Sequence, residues 1–138
     1  MIIAVSALDG GLEAPFHRSF GRSPVFVVID TETMNHRSLA NPGAAAGGGA
    51  GIRAAQTILD EKVEALISGD VGPNAYAVLQ AAHLPVYIFS GGTVRQAVEA
   101  FRSGRLSRAD QATGPARGGI GGGMGTGVGR GRGRRGRS

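Results

Sequence analysis

Residues 2–5 (Ile-Ile-Ala-Val) form a continuous apolar run closed by Asp9-Gly10-Gly11, a pattern that predicts a buried first strand entering a loop. A second β-branched run at 25–29 predicts another strand. After the polar stretch 31–35, residues 36–40 read as a weaker strand returning beside it as a hairpin, stopped by Asn41-Pro42-Gly43. The small, glycine-rich segment 44–51 leads into a helix with Ile52, Ala55, Leu59 and Val63 near one face.

Residues 65–67 form a fourth strand, followed by Ser68-Gly69-Asp70-Val71-Gly72-Pro73, in which Pro73 suits a first helical turn that has no use for its missing N–H. Ala75, Val78, Leu79 and Ala82 keep helical spacing. Residues 86–89 read as a fifth strand. Thr93-Val94-Arg95-Gln96 then matches a capping box, Val94, Ala97, Val98 and Phe101 give an apolar stripe, and Gly104 supplies the stop. The order β, β, β, α, β, α, β, α requires two parallel crossovers and one antiparallel hairpin. A mixed five-stranded α/β sheet of order 3-2-1-4-5 with three helices meets both demands.

No apolar period continues past Gly114. Glycine dominates there and the end of the chain repeats Gly-Arg steps, so residues 114–138 are expected to be a disordered tail behind a domain of residues 1–113. That division changes the meaning of the formal charge of +5. Six arginines (117, 130, 132, 134, 135 and 137) lie in the tail with no acid among them, leaving nine basic and ten acidic residues in 1–113. The domain is therefore nearly neutral and offers no basic face for nucleic acid; only the tail does. The absence of cysteine excludes disulfides, thiolate zinc or iron–sulfur ligation and cysteine nucleophiles. No run reaches membrane-spanning length and the chain opens directly on a strand, so a cytoplasmic protein is expected.

In an open α/β sheet, ligands bind beyond the carboxyl ends of the parallel strands where the chain switches direction, here between strands one and four. Loops 7–19, 68–74 and 90–93 converge there, two of them running into helix starts whose free N–H groups attract anions. The candidate contacts are Asp9, Gly10, His17, Arg18, Arg22, Gly69, Asp70, Gly72, Asn74, Gly91, Gly92 and Thr93. Tight turns explain the glycines individually, and Pro73 and Thr93 serve as helix-start devices. Arg22 either meets a ligand or pairs with a surface carboxylate, while His36 and His83 read as a strand and a helix-end residue.

Several segments in fixed order carry a family likeness across residues 1–106. They are the Asp-Gly-Gly loop, Phe20-Gly21-Arg22-Ser23-Pro24, Asn41-Pro42-Gly43, Gly49-Ala50-Gly51-Ile52, Gly69-Asp70-Val71-Gly72-Pro73-Asn74-Ala75 and Gly92-Thr93-Val94. Together they resemble the dinitrogenase iron-molybdenum cofactor biosynthesis family. The resemblance implies a ribonuclease-H-like fold and a carrier, not an enzyme. Its cargo would be an iron-molybdenum cofactor precursor or a molybdenum–copper sulfide cluster, exchanged with cofactor donor or acceptor proteins. Such a cluster brings its own sulfide, so lack of cysteine is tolerable, and His17 becomes the candidate metal contact. The family's histidines before the Phe-Gly-Arg step and in the glycine loop are replaced here by Ser19 and Gly48. Two competing readings are a Mg²⁺-dependent nuclease built on Asp9 and Asp70, and RNA or anion binding through the Gly-Arg tail.

Overall fold

The computed structural model describes residues 1–45 and 49–113. One mixed sheet is assembled from β1 (Ile2–Ala7), β2 (Val25–Asp30), β3 (His36–Ala40), β4 (Ala65–Ser68), β5 (Val86–Ile88) and β6 (Ser107–Arg108), in the order β3-β2-β1-β4-β5-β6. The expected order 3-2-1-4-5 stands, with a sixth strand added. β1 pairs antiparallel with β2 and parallel with β4, and β4 pairs parallel with β5. β6 contributes two residues antiparallel to β5, and both are exposed, so no apolar pattern marked it.

Alternation along the central strands sends their side chains into two cores. Ala4, Phe26, Val28, Leu66 and Val86 pack on one face with Ala54, Ala55 and Ile58 of α1 (Ala50–Asp60) and with Ala75 and Leu79 of α2 (Pro73–Ala81). Ile3, Val5, Val27, Ile29 and Ile67 pack on the other with Val94, Ala97 and Val98 of α3 (Val94–Arg102). Both faces of β1 and β4 are therefore covered, which is why those strands read as unbroken apolar runs.

The helix ends follow their local chemistry. Thr93 caps α3 with the reciprocal Thr93–Gln96 bonds of a capping box. At its other end Gly104 (φ 74°) donates to the Phe101 carbonyl and Arg105 to the Ala100 carbonyl, which closes the last turn. α1 departs from expectation. Its buried face is Ala50, Ala54, Ala55 and Ile58, with Ile52 and Leu59 only half-buried. Val63 lies beyond the helix, because Lys62 turns left-handed (φ 58°) and sends Val63 into the core ahead of β4. The tail, with its expected disorder, lies outside the described residues, as does Gly48.

Candidate functional site

The segment after β1 builds the site by crossing the carboxyl end of the sheet. Leu12, Ala14 and Phe16 belong to the core on the α3 face, whereas Phe20 is buried in the core on the α1/α2 face. Residues 17–19 must therefore pass over the strand ends between them. The His17 N–H donates to the Ser6 carbonyl at 3.0 Å, seating this residue on the end of β1. The Arg18 carbonyl accepts from both Gly69 (3.0 Å) and Asp70 (2.7 Å), seating the next on the end of β4, and Phe20 N–H donates back to the Asp70 carbonyl at 3.0 Å. The crossing thus occurs at the β1/β4 switch point inferred from topology.

Two serines support the crossing from below. Ser6 and Ser68 are fully buried, with their hydroxyls 3.0 Å apart, and Ser6 also donates to the His17 carbonyl at 2.7 Å. That leaves Ser68 to donate to Ser6. A valine at either position would strand a buried acceptor, so these hydroxyls fix the height of the loop over the sheet. Sequence reasoning missed both, since a serine inside an apolar run carries no ligand signal of its own.

The polar groups on the crossing divide into engaged and available ones. Arg18 Nε donates to Asp70 Oδ2 at 3.0 Å, in an ion pair whose side chains are 73% and 35% exposed. Its positive charge is therefore partly spent. Arg22 is exposed and forms no ion pair among the described residues. His17 is half-buried, and its Nδ1 lies 3.1 Å from both the amide nitrogen and the carbonyl oxygen of Ser19. Nδ1 can accept from that N–H or donate to that carbonyl, so Nε2 can present either an N–H to sulfide or a lone pair to a metal.

The helix starts are not equivalent. At α3, Val94 and Arg95 N–H groups donate to the carbonyls of Ala14 and Leu12, and Gln96 N–H donates to Thr93. The free donors expected at that loop are therefore already consumed, by residues some eighty positions earlier in the chain. At α2, Gly72 provides no side-chain cap, Pro73 has no N–H, and the N–H groups of Asn74 and Ala75 have no acceptor among the described residues. α1 likewise starts at Gly49 without a side-chain cap. The two starts adjoin: a Cβ on Gly51 would lie 3.0 Å from Ala75 Cβ, and one on Gly21 would lie 3.2 Å from the Gly51 nitrogen.

Seven of the candidate residues consequently cluster along the crossing and the start of α2: His17, Arg18, Arg22, Gly69, Asp70, Gly72 and Asn74. Asp9 and Gly10 do not join them. A Cβ on Gly10 would fall 2.6 Å from Ser38 Cβ, which places this loop tip against β3, on the opposite side of β1 from β4. The Asp9 carboxylate accepts from the adjacent Gly10 N–H at 2.7 Å. Gly91 and Gly92 lie at the end of β5 with φ of 151° and 131°, where the backbone itself requires glycine, and the Gly92 carbonyl accepts from Phe16 N–H. Thr93 is committed to capping. An open cleft of about 620 Å³ adjoins Gly91 on the outer side of β5, but Glu99 and Arg105 line it and none of the seven does.

The nuclease alternative finds no support. Asp70 is paired with Arg18, the Asp9 carboxylate accepts from Gly10 N–H, Glu61 pairs with Arg37, and Glu64 accepts from the Ile2 N–H. Among the described residues no three histidine, cysteine or carboxylate side chains are grouped to hold a metal. No helix among the described residues is long and apolar enough to cross a membrane.

Comparison with known proteins bears on the family and the fold. The family model for dinitrogenase iron-molybdenum cofactor matches residues 1–104. The apo orange protein from Desulfovibrio gigas is 39% identical, with a TM-score of 0.77 over 80% of this chain and 94% of its own. A Thermotoga protein provisionally described as NifB is 36% identical, with a TM-score of 0.70 over 86% of this chain and 98% of its own. A search of curated proteins gives no match.

Proposed function

The chain belongs to the dinitrogenase iron-molybdenum cofactor family, and from that premise we propose that its domain, residues 1–113, binds and carries an anionic metal–sulfur cluster noncovalently. The cargo is an iron-molybdenum cofactor precursor or a molybdenum–copper sulfide cluster, and the role is delivery between donor and acceptor proteins, without catalytic turnover. One observation carries the assignment to a place. The 17–22 crossing joins the end of β4 to the adjoining starts of α1 and α2, which carry no side-chain cap, and brings His17 and an Arg22 without an ion pair among the described residues beside amides that have no acceptor among them.

The chemistry follows from that donor set. Sulfide within the cluster satisfies the metals, so the protein has to supply charge, N–H groups and shape, and no thiolate. The Asn74 and Ala75 N–H groups and the positive end of α2 face developing or resident negative charge. Arg22 adds a guanidinium whose donors suit sulfide edges, and His17 Nε2 offers a hydrogen bond or a direct ligand. Gly72 and Asn74 place no bulky group at the helix start.

Anaerobic mixing of the full chain with tetrathiomolybdate, with and without copper(I) or iron, should leave molybdenum on the protein after desalting. Amide shifts should move at 17–22 and 69–75. Arg22→Ala should weaken retention about tenfold, as expected for losing one charge-assisted contact, while leaving the thermal midpoint within a degree or two. No retained metal under any of these conditions, with those amides unmoved, would sink the proposal.

A further inference from the structure

Asp70 places a half-buried carboxylate just ahead of α2, on the crossing where an anionic cargo is proposed to sit. The loop that carries it is fixed from two sides. Asp70 N–H donates to the Arg18 carbonyl at 2.7 Å, and the Asp70 carbonyl accepts from Phe20 N–H at 3.0 Å. On the other flank Thr113 Oγ1 donates to the Gly69 carbonyl at 2.8 Å and accepts from Val71 N–H at 3.1 Å, while Thr113 N–H donates to the Val71 carbonyl at 2.9 Å. The Arg18 side chain is seated on this loop. Its Cγ lies only 2.8 Å from where a Cβ on Gly69 would stand, and its Nε donates to Asp70 Oδ2 at 3.0 Å. No described residue accepts from either Nη group of Arg18, and the side chain is 73% exposed.

We infer that Asp70 is a positioning residue that holds Arg18 by Nε and turns the free Nη groups toward the sulfide surface of the cargo, an inference that rests on the cluster reading above. A carboxylate weakens anion capture unless it contributes something else. Here it contributes order. An arginine with no partner loses its rotamer freedom at each capture, and immobilising one such side chain weakens binding roughly fivefold. The opposing repulsion is smaller, because screening in roughly 0.15 M salt leaves one exposed charge acting on a dianion worth about twofold. Preorganisation therefore outweighs repulsion. The planar guanidinium permits this division of labour, since a carboxylate oxygen at Nε leaves both Nη groups to donate elsewhere. Lysine, a single point charge, has no second edge to present.

Anaerobic equilibrium binding of tetrathiomolybdate to the full chain, followed by its visible bands, tests this. Asp70→Ala should bind about two- to threefold more weakly in roughly 0.15 M salt and about fivefold more weakly in roughly 0.5 M salt, although it removes a negative charge. Asp70→Asn, whose amide oxygen still accepts from Nε, should bind at least as tightly as the native chain. Arg18→Lys, with the charge kept, should lose about tenfold. On an Arg18→Ala background the sign should reverse, because Asp70→Ala then removes only repulsion and should tighten binding about twofold. Urea midpoints should stay close to native throughout, since an exposed ion pair adds little stability. A carboxylate that only repels would tighten binding on removal in both backgrounds, and one that only holds the fold would weaken it in both. Either result, or an Asp70→Asn chain as weak as Asp70→Ala, overturns the positioning role and leaves the cluster reading standing. If no chain, native included, retains thiomolybdate, both fall.

Discussion

Gly69→Ala tests whether the crossing is held by backbone contact. A Cβ at this position would lie 2.9 Å from the Arg18 carbonyl oxygen, 3.3 Å from Arg18 Cα and 2.8 Å from Arg18 Cγ. The last atom can swing away, but the first two are backbone and cannot. Residues 18 and 69 must separate, and the carbonyl that retreats is the one accepting from both Gly69 and Asp70 N–H groups. Two backbone hydrogen bonds at a net 0.5–1.5 kcal/mol each set the loss at about 1–3 kcal/mol, in line with ordinary overpacking. For a domain of this size each kilocalorie moves the midpoint by roughly 4–8 °C.

Gly72→Ala is the matched control. Gly72 has φ −68° and ψ 167°, an extended conformation any residue adopts, so its glycine is not demanded by the backbone. The control should lose under about 1 kcal/mol. Urea unfolding of the two variants separates them: Gly69→Ala should be the less stable. Equal stability of the two would refute the reasoning, because it would mean residues 18 and 69 approach without needing glycine.

His17→Ala should alter the visible absorption of the bound cluster if Nε2 touches metal or sulfide, and should leave band positions unchanged if only charge is at work. Asn41→Ala should cost about 2–4 kcal/mol by urea unfolding, because the side chain donates to the Gly21 and Ser23 carbonyls and accepts from the buried Gly43 N–H. His83→Gly should stabilise the fold by about 0.5–1 kcal/mol in the same assay, since His83 closes α2 at φ 60°, where a side chain is strained.

The element order and the switch point were legible because they rest on local signals: apolar runs buried on both faces, Pro73 at a helix start, and the Thr93–Gln96 box. What stayed hidden depends on partners far apart in the chain. Nothing near Val94 announces that Leu12 and Ala14 will occupy its helix donors, and nothing near Gly10 announces Ser38. α1 stands where a helix was expected, but its buried alanines gave no signal beside Ile52 and Leu59, and its end is set by a left-handed lysine where glycine would have been the visible stop. β6 is held by backbone pairing alone, so its sequence is indistinguishable from loop.

The family's scattered short segments acquire a common purpose once folded. Asn41 ties the 41–43 turn to the carbonyls of Gly21 and Ser23. Gly21 lies against the backbone of Gly51, and Gly51 against Ala75. Small residues at these contacts let α1 and α2 approach at their amino-terminal ends, which brings two positive dipole ends side by side with Arg22 at their margin. Such an arrangement is electrostatically unfavourable when vacant, and capping by serine or aspartate would relieve it locally. Gly49 and Gly72 stand at the two N-cap positions instead, leaving the donors open. The anionic cargo proposed above would relieve the repulsion that these glycines leave in place. On that account the glycines of separate segments act together: close helix approach creates the field, and the missing side-chain caps keep it accessible.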